Sequence, residues 1–108
     1  MSDYLGAPLE AVGFQHASAG SLQIGCRVDC WLRTQASGGL EVRFEVFAEH
    51  STIEAAAWLA EWLTGRTIDE ASSVTGLWLA EATGMPVERR GDALCIEDAL
   101  RLALGDET

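Results

Sequence analysis

The sequence contains no lysine: its seven basic residues are all arginine, and seventeen aspartates and glutamates oppose them. The formal net charge is therefore -10 at pH 7. Nucleic acids and anionic membrane surfaces are bound by clustered cations, so we expect this protein to bind neither. Solubility is the simplest explanation of an acidic surface, although such a surface can also meet a basic protein.

Long apolar segments are missing as well. No run approaches the ~18–20 residues of a membrane-spanning helix, and the N-terminus lacks the basic start and apolar run of a signal peptide. The three cysteines are an odd number and form no Cys-x-x-Cys pair, which argues against a disulfide framework and against the common zinc motifs. A reducing cytoplasm is the expected location.

The motifs of the common enzyme classes are also absent. No Gly-x-Ser-x-Gly segment marks a nucleophile. Gly38-Gly39 lies between two predicted strands and does not open a helix, so it is a turn and not a phosphate-binding loop. We therefore expect that the protein is not an enzyme.

The patterns that are present predict one α+β domain over residues 1–108. Residues 26–33 and 41–47 alternate apolar and polar side chains around a Gly-rich turn, which predicts an antiparallel hairpin over about residues 22–47. From residue 51 the apolar spacing becomes helical. We expect a small, mainly antiparallel sheet with the C-terminal helices packed on one face.

Capping residues predict where the helices start. Ser51 and Glu54 form a capping-box pattern at the start of the first long helix. Residues 15–20 are small and polar and predict a loop, whereas residues 4–14 predict a short helix or a strap laid over the core. The remaining predicted caps are Thr67 with Glu70, Thr75, and Asp92.

All three cysteines are predicted to be core residues. Cys26 and Cys30 share the strand parity of Val28 and Leu32, so they face the core, and they lie roughly 13 Å apart along one strand, too far apart to share a metal. Cys95 lies beside the apolar stripe of the last helix. Free cysteine often acts as a small buried hydrophobe.

Histidine and tryptophan supply the remaining candidate positions. His50 follows Glu49 at the junction of hairpin and helix, where such a pair can bind a metal or transfer protons; an exposed loop histidine is the alternative. Trp31 lies on the polar face of its strand and is a possible partner contact, unless a helix covers that face. Trp58 and Trp62, spaced i, i+4, are expected in the core.

The central segment resembles the IscU/NifU-type family of iron–sulphur cluster scaffolds. Residues 44–53 are similar to the family's strand ending in Phe-x-x-Phe-Gly-Cys-Gly-Ser, and residues 61–71 to its helix ending in Glu-Trp, followed by Gly-Lys-(Ser/Thr)-x-Asp-Glu-Ala. Residues 85–87 and 97–100 resemble the family's closing segment and last helix. The resemblance implies an IscU-like α+β sandwich, a small sheet with helices on one side, and a link to cluster assembly.

The family's cluster ligands do not occur at the corresponding positions. The resemblance places Leu22, Glu49 and Asp92 where the family carries its three cysteines, and thiolates suit iron–sulphur clusters whereas carboxylates suit harder ions. We therefore expect a scaffold-like protein without a cofactor, which acts as an interaction or regulatory module and binds a protein such as a cysteine desulfurase or another assembly component. The alternative is a scaffold that binds a divalent metal or a cluster through Glu49, His50, Asp92 or Cys95.

Overall fold

The computed structural model describes residues 4–10 and 12–105. Three strands form one antiparallel sheet in the order β1-β2-β3, and four helices follow the sheet in the sequence. The elements are β1 (Gln15–Ser21), β2 (Cys26–Thr34), β3 (Leu40–Phe47), α1 (His50–Leu63), α2 (Ile68–Ser72), α3 (Gly76–Thr83), a 3₁₀ turn (Val87–Arg89) and α4 (Arg90–Ala103). α1 packs on β3, and α4 packs on β1 and β2. The predicted α+β class and the hairpin are confirmed. No helix in the described ranges is long and apolar enough to cross a membrane.

The core lies between the sheet and the helices. In the β2–β3 pair, Cys30 stands opposite Phe44 and Val28 opposite Val46, and the alternation turns Cys26, Val28 and Cys30 inward. The helices contribute the other half of the core. Its largest fully buried side chains include Phe44, Leu40, Leu59, Leu63, Leu79, Ile96 and Leu100. The predicted strand parity, including the core position of Cys26 and Cys30, is confirmed.

The segment after residue 14, predicted to be a loop, is strand β1. It is antiparallel to β2 from Gln15 opposite Leu32 to Ser21 opposite Cys26. Its small and polar residues have weak strand propensity, so pairing with β2 and packing of its alanines against the core decide its conformation. At Gly20 a Cβ would lie 2.1 Å from the carbonyl oxygen of Cys26, so this position requires glycine.

Residues 4–6 run along the outer edge of β3, with Tyr4 and Leu5 packed against the core, and so form a strap, one of the two predicted alternatives. Leu5 makes an isolated parallel bridge with Phe44. The Arg43 guanidinium donates from Nε to the carbonyl of Gly6 at 2.9 Å and from Nη2 to that of Leu5 at 2.7 Å. The strap covers backbone groups that an open sheet edge would leave unpaired.

The caps of α2 and α3 match the sequence prediction. Thr67 and Glu70 form a reciprocal capping box at the start of α2. The Thr75 hydroxyl accepts the backbone N–H of Trp78 at the start of α3, and α3 ends at Gly84, whose φ is 70°. Local hydrogen bonding of this kind depends on residues close in sequence, which makes it predictable.

The caps of α1 and α4 differ from the prediction. Glu49, and not Ser51, is the N-cap of α1, and its carboxylate accepts the Ser51 backbone N–H at 3.0 Å. Asp92 is not an N-cap, because the 3₁₀ turn leads directly into α4 at Arg90. Asp92 lies in the first turn of α4 instead, where it accepts a hydrogen bond from Thr52 on α1. A tertiary contact has replaced the local cap.

Candidate functional site

Three charged side chains meet where β3 passes into α1 and where α4 begins. Glu49, Arg89 and Asp92 are named here the tip cluster. Arg89 Nε lies 3.9 Å from Glu49 Oε2, and Arg89 Nη1 lies 3.7 Å from Asp92 Oδ2. Thr52, which is fully buried, donates from its hydroxyl to Asp92 Oδ2 at 2.7 Å. One guanidinium therefore stands between the two carboxylates that the sequence analysis predicts at family ligand positions.

Local donors favour the ionised form of Glu49. Hydrogen bonds from the hydroxyl and the backbone N–H of Ser51, aided by the nearby charge of Arg89, hold the pKa of this carboxyl below its usual value. A negative charge at a helix N-terminus is also favoured by the helix dipole. At neutral pH Glu49 is an anion that is already used in capping and ion pairing.

His50 does not join the tip cluster in a metal site. Its Nε2 lies 2.6 Å from Glu54 Oε1, one turn along α1, and its side chain is 81% exposed. In the described part of the chain, no three or more His, Cys, Asp or Glu side chains are grouped so that they could hold a metal ion. The geometry corresponds to the exposed-histidine alternative.

Cys26 and Cys30 are buried and Cys95 is partly buried, and Cys26 and Cys95 lie beside Asp92 of the tip cluster. Burial, with the nearby Cys95 and Asp92, raises the pKa of the Cys26 thiol to about 12, and burial also raises the pKa of Cys30. Cys95 is half-buried, and burial raises its pKa. The sequence did not predict that Cys26, Cys95 and Asp92 interact, because β2 and α4 are far apart along the chain. Protonated thiols are weak ligands and nucleophiles.

Leu22 lies in the turn between β1 and β2 and is 62% exposed. It borders an open hollow of about 320 Å³ on the outer face of the sheet, whose floor includes Trp31 and Asp29. An exposed leucine has no group that could bind a metal. The positions predicted from the resemblance to be family-equivalent, Leu22, Glu49 and Asp92, thus present one aliphatic side chain and two carboxylates.

Trp31 is buried, contrary to the expectation of an exposed indole. It is 8% exposed, and the ring of His16 stacks on it with centroids 4.5 Å apart and planes 4° apart. The cover comes from a side chain of the neighbouring strand β1, not from a helix. A partner contact through Trp31 stays a prediction, limited to its small exposed part.

Asp29 is a buried carboxylate that the sequence analysis missed. It pairs with His16 Nε2 at 2.9 Å and with Arg27 Nε at 3.4 Å, and it accepts the Ser18 hydroxyl. Burial raises the pKa of Asp29, but hydrogen bonds from Ser18 and His16 and the charge of Arg27 outweigh it, so the pKa is lowered. Recognition of β1 as a strand would have placed His16 and Ser18 on the same face and identified this network.

Three indoles gather on the outer side of α1 and α3. The ring centroids of Trp62 and Trp78 are 4.9 Å apart, and Trp58 lies 5.7 Å from Trp78 and 6.4 Å from Trp62. Trp58 is 37% exposed, so its predicted core position is wrong, and Trp62 is partly buried. We call the surface formed by Trp58, Trp62, Trp78 and the α1–α3 crevice the tryptophan groove.

Comparison with known proteins supports the resemblance to cluster scaffolds. The chain is 27% identical over 66 residues to the iron–sulphur cluster assembly scaffold protein IscU of Escherichia coli K12, which is 61% of this chain and 52% of that protein. It is 28% identical over 67 residues to the iron–sulphur cluster assembly enzyme IscU of Drosophila melanogaster, covering 62% of this chain and 44% of that protein. The match thus spans about half the length of these relatives. No protein-family profile matches the chain.

A solved structure has the same fold. It is a protein assigned as an iron–sulphur cluster assembly scaffold of the SUF system of Fervidobacterium islandicum AW-1, with a TM-score of 0.61. The alignment covers 94% of this chain and 87% of that chain at 16% sequence identity, a level at which the likeness concerns the fold. The predicted IscU-like resemblance and fold class are confirmed.

Proposed function

We propose that this IscU-like protein keeps the scaffold fold without the cluster site and acts as a protein-interaction or regulatory module in sulphur or iron–sulphur assembly. The observation that carries the proposal is the position of Arg89 between Glu49 and Asp92, at 3.9 and 3.7 Å. The guanidinium supplies the positive charge that a metal ion would otherwise bring to the two carboxylates. A metal at this place would compete with Arg89 for both carboxylates and with Thr52 for Asp92 Oδ2.

The donor set does not fit an iron–sulphur cluster, which in the family is the cargo. Iron in such clusters is held mainly by thiolates, and the corresponding positions carry Leu22, Glu49 and Asp92. Cys26 and Cys30 are 1% and 0% exposed, so the fold would have to open before either thiol could bind iron. Loss of the ligands beside retention of the fold is typical of a family member whose function has changed.

The proposed partner is a cysteine desulfurase or another protein of cluster assembly. The relatives in bacteria are named assembly scaffolds, and a scaffold works by meeting other proteins. We propose that this chain makes such a contact in the cytoplasm and that it catalyses no reaction of its own.

Anaerobic reconstitution with ferrous iron and sulphide tests the loss of the cluster site. After desalting, we expect no visible absorption from a cluster and no retained iron, because no group of soft ligands faces the solvent. A family member with its three cysteines, treated in parallel, is the positive control. A stable cluster with near-stoichiometric iron in this chain would overturn the proposal.

The alternative function is metal or cluster binding through Glu49, His50, Asp92 or Cys95. It is favoured by one observation, the contact of Cys95 and Asp92 with the Cys26 thiol. Calorimetric titration with Fe²⁺ and Zn²⁺ separates the two functions. Metal binding that disappears in Glu49→Ala and Asp92→Ala supports the alternative, whereas no binding supports the leading proposal.

The partner is tested with a purified cysteine desulfurase. We expect the two proteins to co-elute in size-exclusion chromatography and to bind in calorimetry. Bovine serum albumin, an acidic protein with no role in cluster assembly, replaces this chain in the control run. Absence of a complex with the desulfurase and with the other purified assembly proteins would refute this part of the proposal.

A further inference from the structure

We propose that the tryptophan groove is a docking surface for a basic segment of a partner protein, one that carries arginine or lysine side chains. This goes beyond the proposed function, which assigns no docking surface. The docking proposal rests on the exposure of the indoles, the shape of the hollows and the distribution of charge along α1 and α3. It does not depend on the chemistry of the tip cluster.

The floor of the groove is aromatic and open. Trp62 and Trp78 line a hollow of about 220 Å³ together with Ser73 and Val74. A second hollow of about 330 Å³ lies beside Trp58, between the first turns of α1 and the end of α3. Partly exposed tryptophans in such hollows are the side chains that most often dominate binding energy at protein interfaces.

The rim of the groove is acidic. Glu54 lines the hollow beside Trp58, and Glu61 follows Trp58 by three residues, so helical spacing places both acids on the same side of α1 as the indole. Glu81 follows Trp78 by three residues on α3. All three carboxylates are on exposed residues. Glu54 pairs with His50 Nε2 at 2.6 Å, whereas Glu61 and Glu81 have no ion pair within the described ranges.

The end of α3 adds to this negative potential. Thr83 and Gly84 line the hollow beside Trp58 and Glu54, and they form the C-terminus of the helix. The carbonyl end of a helix carries partial negative charge and attracts cations. The indole face also attracts cations. The acidic rim, the C-terminus of α3 and the indole faces thus all favour a cationic ligand.

The chain itself contains an example of the proposed contact. The guanidinium of Arg66 lies over the ring of Trp62, 3.8 Å from Cζ to the ring centroid. The same Arg66 also bonds Glu70 at 3.0 Å. Arginine on indole with a carboxylate alongside is therefore already used at one end of the groove. Trp58 and Glu54 present an indole and a carboxylate at the other end, where the partner of Glu54 is the exposed His50.

Charge decides between possible occupants of the groove. A second copy of this chain would bring another net charge of -10 against the acidic rim, which is unfavourable. A purely apolar segment would bury the rim carboxylates without partners, at a cost in desolvation. A segment that alternates basic and apolar residues satisfies both the rim and the indole floor.

The test uses the full chain and a defined probe. The probe is a synthetic peptide of about twelve residues that repeats Leu-Arg-Ala-Lys, and the control peptide has glutamate in place of each basic residue. Each tryptophan gives one indole N–H signal in ¹⁵N NMR spectra. We expect the basic peptide to shift the signals of Trp58, Trp62 and Trp78 and to leave Trp31, on the sheet, unchanged.

Variants separate docking from general attraction between opposite charges. Glu54→Gln and Glu61→Gln together should weaken binding about tenfold, and Trp58→Ala by a similar factor. Glu45→Gln with Glu41→Gln is the matched control, because it removes the same charge from β3, away from the groove, and should change the affinity by less than about twofold. Each pair of glutamine substitutions removes one ion pair, His50–Glu54 in the groove variant and Arg33–Glu41 in the control, and circular dichroism verifies that both variants keep the fold.

Three results would overturn the proposal. The first is an equal shift of the Trp31 signal. The second is equal weakening by the control variant, which would show that the peptide binds only the overall charge. The third is binding of the glutamate peptide with the same affinity. Reconstitution of a cluster at the tip would leave all three outcomes unaffected, so failure here is distinguishable from failure of the proposed function.

Discussion

The tip cluster and the tryptophan groove handle charge in opposite ways. At the tip, Arg89 stands between Glu49 and Asp92, so each charge has a partner within the same chain. In the groove, Glu61 and Glu81 lie on exposed residues with no ion pair in the described ranges, Glu54 pairs with His50, and Trp58 is 37% exposed. Charges that are already paired offer little to a ligand, whereas unpaired charges beside apolar area offer more. The resemblance to cluster scaffolds indicates the tip as the binding site. The distribution of charge and indoles instead favours the groove as the surface proposed to bind a partner.

The largest expected effect is a gain of function at the tip. Leu22→Cys, Glu49→Cys and Asp92→Cys together restore thiols at the three family positions. If ligand identity alone distinguishes the tip from a working site, this variant will retain iron and absorb visible light after anaerobic reconstitution. Retained iron is measured by metal analysis, and the wild-type chain is the baseline.

The matched control places three cysteines elsewhere on the exposed surface. Gln35→Cys, Asp69→Cys and Asp98→Cys lie in the β2–β3 turn, on α2 and on α4, and the resemblance assigns none of these positions to the ligand site. We expect no retained iron in this variant. Equal iron in both variants would show nonspecific binding, and absence of iron in both would show that the tip geometry, and not only its ligands, has changed.

The tryptophans of the groove should contribute unequally to the stability of the fold. Trp62 packs against both other indoles and under Arg66, whereas Trp58 is 37% exposed. We expect Trp62→Ala to lower the free energy of unfolding by about 2–3 kcal/mol and Trp58→Ala by about 1 kcal/mol, since less buried area is lost. Urea unfolding measures both, and equal losses would contradict an open Trp58.

The tip should contribute to stability even without a metal. Asp92→Ala removes the acceptor of the buried Thr52 hydroxyl, and we expect the free energy of unfolding to fall by about 1–2 kcal/mol. In a double-mutant cycle, Thr52→Val should make the Asp92 substitution nearly neutral, because the two side chains act as a pair. Additive losses would show that their hydrogen bond is not the source of the effect.

The smallest expected effect concerns the pKa of Glu49. Because Ser51 stabilises the charged carboxylate, Ser51→Ala should raise this pKa toward its usual value, which NMR titration of the side-chain carboxyl measures. The pKa of Glu49 is lower in the folded state than in the unfolded state, where it is about 4.3. Ionised Glu49 therefore stabilises the fold at pH values above the unfolded-state pKa, and this contribution is lost as the pH falls through the folded-state pKa. An unchanged pKa in Ser51→Ala would show that the backbone N–H of residue 51, which alanine keeps, together with Arg89 and the helix dipole, sets the shift instead.

Much of the fold could be predicted from the sequence because the relevant interactions are local or periodic. Strand parity put Cys30 in the core, and the caps Thr67 and Thr75 act within four residues of chain. β1 could not be predicted in this way. Its residues have a weak intrinsic preference for strands. It is a strand because it forms hydrogen bonds with β2, and these exist only in the assembled sheet.

The site was predictable only in part. The resemblance placed Glu49 and Asp92 at family ligand positions, and the structure brings them to one cluster through Arg89. Arg89 had no signal in the sequence, because its partners lie on other elements or across a turn whose geometry was unknown. The same holds for Asp29, whose partners His16 and Ser18 lie on the strand that was missed.

The sequence by itself determined the α+β class and the buried thiols of Cys26 and Cys30, because each follows from residue type and from spacing along one element. The tertiary structure alone decided which side chains meet. It brought Arg89 between two acids and gathered Trp58 and Trp62 with Trp78 from another helix. Contacts between distant segments depend on how helices pack on the sheet, and packing is a property of the assembled core that no single segment encodes.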